Sequence, residues 1–326
     1  MNSIISIKGL QTIFETSGGS VKALRSINLE VQRGETLALV GESGSGKSTL
    51  GLSILRLIEP PGRIAGGSIE FLSDEPMDIL SLSRGKLRRY RWKKVAMVFQ
   101  SAMNVLNPVM RIEDQFKDTM LSHDIPLDEI DEKIDYYLKI SGLGPKVRRL
   151  FPHELSGGMK QRVNIALALS CEPELLIADE PTTALDVVVQ KEILKSLNML
   201  KKKLGLTVIF ITHDISVAAS ISDRIAIFYA GRIVEIGSKD DIILRPEHPY
   251  SQALLSSMIT LKTERDMELN GLLGNPPDLR ESIVGCSFMN RCPKAQSGCL
   301  EYDLRGKEEN SGHYVECLYP IEYRRS

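Results

Sequence analysis

The sequence predicts an α/β fold in which a phosphate-loop core carries a parallel sheet. An antiparallel β region precedes this core, a helical subdomain is inserted into it, and a small cysteine-containing domain follows. Three observations predict this. Residues Leu39 to Leu50, reading LVGESGSGKSTL, run from an apolar stretch through a glycine-rich turn straight into a helical pattern. Leu175 to Glu180, reading LLIADE, is a continuous apolar run ending in two adjacent carboxylates, as a central parallel strand with functional groups at its carboxyl end reads. After about Arg245 the composition shifts: Pro246, Pro249, Pro276 and Pro277 break up the segment, and Cys286, Cys292, Cys299 and Cys317 follow. A chain of 326 residues holds one large domain and a smaller one. The expected division is 1–245 and 246–326, with the helical subdomain at about 101–171.

Taken in order, Ser3 to Lys8 and Ile27 to Val31 alternate apolar and polar residues and read as short antiparallel strands around a flexible Ser17-Gly18-Gly19-Ser20 turn. Phe14 lies on that connection, where its ring can stack on an adenine or pack as one more core aromatic. Thr36 to Val40 is a buried strand that delivers G-x-x-x-x-G-K-[ST]. Gly41, Gly44 and Gly46 leave room for backbone N–H groups to curl around phosphate oxygens, with Ser43 inside the same loop. Lys47 reaches the terminal phosphates, the Ser48 hydroxyl can ligate magnesium, and Thr49 follows in the first turn of the helix, whose positive end faces the phosphate.

Gly67 to Phe71 and Val95 to Phe99 are the next strands, and the second ends on Gln100, an amide placed to touch magnesium or water. The intervening Arg84 to Lys94 is basic and contains Tyr90 and Trp92; it reads as a solvated basic face rather than as a nucleic-acid patch. From Ile112 to Ser141 the pattern is helical. LSGGMKQR, residues 155–162, is a second phosphate-type loop opening a helix, with Ser156 as N-cap and Gly157 and Gly158 allowing close approach. At the end of the LLIADE strand, Asp179 fits magnesium coordination and Glu180 fits a general base acting on the attacking water. Two such acids side by side repel each other without a cation. Leu206 to Thr212 is another buried strand, after which His213 is either a donor to a γ-phosphate oxygen or a helix cap before Asp214. Arg224 to Tyr229 and Arg232 to Ile236, joined by Ala230-Gly231, form a hairpin.

With 41 basic against 42 acidic residues, the net charge of -1 gives no global attraction to nucleic acid or anionic lipid. No apolar run reaches the ~20 residues that span a bilayer, and the start of the chain lacks a signal-peptide pattern, so a cytosolic chain is expected. In a reducing compartment four clustered cysteines point to metal binding rather than to a disulfide pair. Four thiolates suit either structural zinc or a [4Fe–4S] cluster; the C-x5-C-x6-C-x17-C spacing is looser than paired zinc ligands and favours the cluster. The proline-rich tail is expected to have too little core to fold without it. Cys171 reads as a small buried residue.

GESGSGKST, Gln100, LSGGMKQR, LLIADEP, Thr183-Ala-Leu-Asp186 and His213, in this order, resemble the ATP-binding-cassette ATPases over residues 1 to about 245. The resemblance implies a P-loop NTPase core that hydrolyses ATP with Mg2+, Phe14 stacking on adenine, Gln100 as the coupling glutamine, LSGGMKQR facing the γ-phosphate of an opposite subunit, Asp186 in the loop between subunits, and His213 as a switch histidine. QSAMNVLNP, HPYSQALL, GNPPDL and the C-x-F-x-x-R-C-P-x-A-x-x-x-C tail resemble the dipeptide and oligopeptide importer branch. That branch implies a second, related ATPase subunit, two integral membrane permease subunits, an extracellular solute-binding protein served indirectly, no nucleic acid, and a peripheral position on the cytoplasmic face of the membrane. Similar importers carry oligosaccharides, so the cargo stays open between peptide and sugar. The competing classes are a soluble cassette ATPase acting on nucleic acid or the ribosome, and an iron–sulfur redox sensor. Ribosome-acting cassettes usually carry two cassettes per chain and repair cassettes carry long coiled-coil insertions, neither of which is read here, and a sensor would not need Glu180, His213 and LSGGMKQR together.

Overall fold

The computed structural model describes residues 3–100, 105–183, 185–259, 274–301, 307–308 and 312–323. In order, its main elements are β1 (Ser3–Thr16), β2 (Gly19–Gln32), β3 (Thr36–Val40), α1 (Lys47–Ile54), β4 (Gly62–Phe71), β5 (Met77–Asp78), α2 (Arg84–Lys93), β6 (Val95–Val98), α3 (Ile112–Ser122) and α4 (Leu127–Ile140). There follow α5 (Gly157–Leu169), β7 (Leu175–Asp179), α6 (Val187–Leu204), β8 (Thr207–Thr212), α7 (Ile215–Ile221), β9 (Arg224–Tyr229), β10 (Arg232–Ser238), α8 (Lys239–Leu244), α9 (Pro249–Ile259), β11 (Lys307–Glu308) and β12 (Tyr314–Val315). Two compact units form: one from Met1–Ile4, Gln32–Glu35 and Ser73–Phe210, the other from Ile5–Val31, Thr36–Leu72 and Ile211–Ser326.

In the first unit β6 and β7 run parallel, with Val95 opposite Leu175 and Val98 opposite Ala178, and β8 lies on the other side of β7. All residues of β7 and β8 are buried, which is why they read as continuous apolar runs. Glu174, one residue before β7, is gripped by Arg33 at 2.9 Å and Lys94 at 2.5 Å, and these cations hold its carboxyl below the usual carboxylate range against the opposing effect of burial. Between β6 and β7 the expected helical stretch is two helices, α3 and α4, broken at Pro126 and tied together by Arg148, which pairs with Glu113 of α3 and with Asp131 and Asp135 of α4. In the basic stretch Tyr90 is buried and the half-buried Trp92 ring lies 5.8 Å from that of His123.

In the second unit β1 and β4 pair antiparallel from Ile5 opposite Phe71 to Phe14 opposite Gly62. The strands are far longer than Ser3 to Lys8 and Ile27 to Val31; in β1, register shifts around Gln11 break the alternation and the polar Thr12 lies inside, where its hydroxyl meets that of Ser53 at 3.0 Å. Strand β3 runs parallel to β9, which turns antiparallel into β10 across Ala230-Gly231, as expected. Helix α1 stops at Ile54, beyond which Leu57 N–H reaches back to the Leu52 carbonyl and Arg56 takes a φ of 49°.

The compact units do not divide at 245, and part of the tail packs into the core of the second unit. β12 extends the sheet beyond β10, pairing Glu235 with Val315, while Tyr250 and Phe288 join Val40, Ile215, Ile227 and Tyr229 in one buried cluster. Apolar residues scattered in sequence thus borrow the core of β3 and β9, and this burial adds to the stability a bound metal would supply.

Candidate nucleotide site

The second unit carries the phosphate loop between β3 and α1. Gly41 must be glycine, because a Cβ there would sit 2.1 Å from the Phe228 carbonyl oxygen; at Gly46, with φ of 107°, it would sit 2.7 Å from the Ala23 carbonyl oxygen. Lys47 is buried and its ammonium donates to the carbonyls of Gly41 at 2.7 Å and Glu42 at 2.8 Å and to the Ser45 hydroxyl at 3.2 Å. The loop is therefore closed around its own lysine. Ser43 and Gly44 are exposed at its tip, and Ser48 and Thr49 are half-buried in the first turn of α1. Phe14 is half-buried near the end of β1, its ring 2.5 Å from where a Gly62 Cβ would stand, so it packs on the adjacent strand while keeping part of its surface exposed. His213 follows β8 and is exposed; the cap of α7 is Asp214, which accepts from Ser216 N–H at 2.8 Å, so capping does not explain the histidine.

The first unit carries the carboxylates. Asp179 ends β7 and is 4% exposed. Glu180 takes φ of 45°, a left-handed conformation that a side chain adopts at a cost of about 1 kcal/mol or more. Its Oε2 accepts from Gln100 Nε2 at 3.1 Å and from Thr183 Oγ1 at 2.8 Å, so Gln100 and the acid meet directly. Thr183 was legible only as part of a motif; its spacing of three residues beyond the strand end lets the hydroxyl turn back onto Glu180. Ser156 caps α5 through Met159 N–H at 3.3 Å, as expected. Gly158 has a packing reason besides ligand approach, since a Cβ there would sit 2.7 Å from Cγ1 of Val189 on α6. Gly157 is half-buried beside it. Asp186 caps α6 through Val188 and Val189 N–H at 3.0 and 2.9 Å, a structural task the motif alone does not reveal. Ser101 to Asn104 and Ala184 lie outside the described residues.

The four tail cysteines, with Phe288 and Leu318, line one cavity of ≈ 20 Å³. The Cys286 N–H donates to the Cys299 carbonyl at 2.9 Å, which folds the two ends of the motif together. Burial, with neighbouring thiols adding to it, pushes the Cys286 and Cys292 thiols up and Cys317 to about 11. Among the described residues no three His, Cys, Asp or Glu side chains are grouped as ligands of a metal ion. Four thiols on one cavity are a donor set that suits a four-thiolate group, zinc or cluster alike, though they are not drawn together as ligands. Cys171 is buried, its thiol raised to about 11 by desolvation, as a small core residue.

Residues 24–183 match the ABC transporter family and residues 234–299 match the C-terminal region of oligopeptide/dipeptide transporters. The oligopeptide transport ATP-binding protein OppD of Bacillus subtilis is 42% identical over 96% of this chain and 88% of its own length. OppD of Escherichia coli is 40% identical over 98% of this chain and 94% of its own, and the dipeptide transport ATP-binding protein DppD of Bacillus subtilis is 39% identical over 97% and 95%. Among solved structures, the dimeric cassette MJ0796 superposes with a TM-score of 0.63 at 29% identity, covering 72% of this chain and 98% of its own. The expected α/β P-loop NTPase fold therefore stands, and the chain belongs to the ABC transporter ATPases, in the group of oligopeptide and dipeptide transport ATP-binding proteins.

Proposed function

We propose that the chain powers import of oligopeptides as one of two ATPase subunits on the cytoplasmic face of a membrane transporter. The observation that carries this is that this chain matches both the ABC transporter family and the oligopeptide/dipeptide transporter C-terminal region and aligns over nearly its whole length with an oligopeptide transport ATP-binding protein. The relatives reported above are named for oligopeptides and dipeptides, and neither the oligosaccharide cargo nor the nucleic-acid or ribosome reading finds support among them.

In this reading Gly41, Ser43, Gly44, Gly46, Lys47 and Thr49 cradle the phosphates, and Phe14 stacks on the adenine. In the second unit Ser48 would be a Mg2+ ligand, and in the first unit Gln100 and Asp179 carry oxygen donors suited to that ion, which would neutralise charge on the phosphates. Glu180 takes the proton from the attacking water, oriented by the hydroxyl of Thr183 and the amide of Gln100. His213 donates to the γ-phosphate, and Ser156, Gly157, Gly158 and Asp186 face the nucleotide of a second, related cassette, so hydrolysis needs two chains. The surface near Gln100, where Val105 and Val109 are exposed, receives one of two membrane permease subunits; a solute-binding protein acts on the far side. Among the described residues no helix is long and apolar enough to cross a membrane, so those permeases would supply the membrane attachment. Cys286, Cys292, Cys299 and Cys317 hold a [4Fe–4S] cluster that cross-links the tail. Substitution of Gln100 uncouples transport from ATP binding more than it weakens binding.

Affinity purification of the chain from detergent-solubilised membranes tests the reading. It should bring down a second cassette and two membrane subunits; recovery with ribosomes or nucleic acid instead would refute it. Anaerobic protein should contain iron and sulfide, and Cys292→Ser should remove both; stoichiometric zinc without iron would replace the cluster by a zinc site.

A further inference from the structure

The phosphate loop contains an acid, Glu42, immediately after Gly41, in a turn whose task is to bind polyanionic phosphate. Its charge is met by a residue 249 positions away: Arg291 places Nη1 2.8 Å from Oε2 and Nη2 2.8 Å from Oε1 of Glu42, a bidentate pair. The Arg291 side chain is 5% exposed and that of Glu42 26%. The guanidinium also donates to the Tyr229 hydroxyl at 3.3 Å and lies 5.8 Å from the centre of that ring. Its backbone is fixed by the turn that begins at Phe288, whose carbonyl accepts from Arg291 N–H at 3.0 Å. Glu42 is held at two further points, with its N–H on the Tyr250 hydroxyl at 3.1 Å and its carbonyl on Lys47 at 2.8 Å.

From this geometry we infer that Arg291 is a positioning residue for nucleotide binding: it cancels the Glu42 carboxylate and anchors the start of the phosphate loop to the cysteine-bearing tail. The inference rests on the phosphate loop being the ATP cradle. Without Arg291, Glu42 is an uncompensated anion beside the phosphates, and the segment carrying it loses one of its three anchors. The folded tail thus sets ATP affinity through one ion pair, whichever group the cysteines hold. Neither partner needs to touch the nucleotide.

The test is MgATP binding and ATPase kinetics on the full chain. Arg291→Gln should weaken ATP binding and raise KM about tenfold, the size of one lost charge-assisted interaction, with kcat changed much less. Adding Glu42→Gln should return most of the affinity by removing the stranded charge, and Glu42→Gln alone should cost less affinity than Arg291→Gln does. Arg291→Lys keeps the charge with poorer geometry and is run beside it as the variant safer for folding; its affinity should fall between the two. Rescue separates this role from a merely structural one, which would lower the melting temperature with no recovery on adding Glu42→Gln. Unchanged affinity in a folded Arg291→Gln chain, or loss that Glu42→Gln does not restore, would overturn the inference. Wild-type protein that fails to bind MgATP would refute the cradle itself instead.

Discussion

Replacing Phe288 with alanine tests whether the tail shares the core of the second unit. The ring is 1% exposed and packs edge-on to Tyr229 and Tyr250 with centroids 5.3 Å from each. Its removal deletes a buried aromatic and both pair contacts, for which a loss of about 3–5 kcal/mol is the ordinary range. With a urea slope of roughly 2 kcal/mol per molar, the midpoint should fall by about 2 M, read by circular dichroism on the full chain. A second readout follows from the packing: the Phe288 ring lies against Tyr229, whose hydroxyl and ring face the Arg291 guanidinium, so ATP affinity should weaken along with stability. A midpoint shift below about 0.5 M would show that the ring fills no load-carrying part of the core and would refute the shared-core account.

Glu180→Gln should bind ATP as the wild type does and lose about 10²–10⁴-fold in turnover, measured as phosphate release by the assembled ATPase; normal turnover would remove Glu180 from the role of base. Gly158→Val should destabilise the α5–α6 contact by about 1–3 kcal/mol, seen as a lower thermal midpoint, because its Cβ would stand 2.7 Å from Val189. His313 donates or accepts at 2.9 Å with buried Glu235, and this partner holds its pKa above the usual value although burial opposes. A raised folded pKa means that stabilisation is full below about pH 6.5 and is lost as pH rises through the folded value, so His313→Gln should flatten the alkaline decline of the urea midpoint. An unchanged slope would contradict the pairing. His248, pushed down to about 4 by burial, acts in the opposite sense and costs stability as pH falls from about 6.5 toward 4.

The parts of this molecule written in local pattern were legible. Leu175 to Asp179 forms β7 because five apolar or strand-ending residues leave no helical alternative between Pro173 and the Glu180 turn, and Arg224 to Tyr229 forms β9 for the same reason. Ser156 as a cap and the shape of the phosphate loop follow from residues a few positions apart. What stayed hidden depends on distance along the chain. Nothing near Glu42 announces Arg291, and nothing near Phe288 announces Tyr229; both pairs exist only because β9 runs beside β3 and brings the tail against the loop. The long β1–β4 pairing was masked by Gln11, where the register shift sends a polar threonine inward. The second duties of Gly158 and Asp186 were likewise covered by their motifs, since packing on Val189 and capping α6 need the neighbouring helix to be in place.

The most direct test of the account is uptake of a labelled oligopeptide by cells whose only copy of this chain carries Glu180→Gln. The account predicts that the variant reaches the membrane with its partner subunits and that uptake falls to background; uptake at the wild-type rate would contradict it.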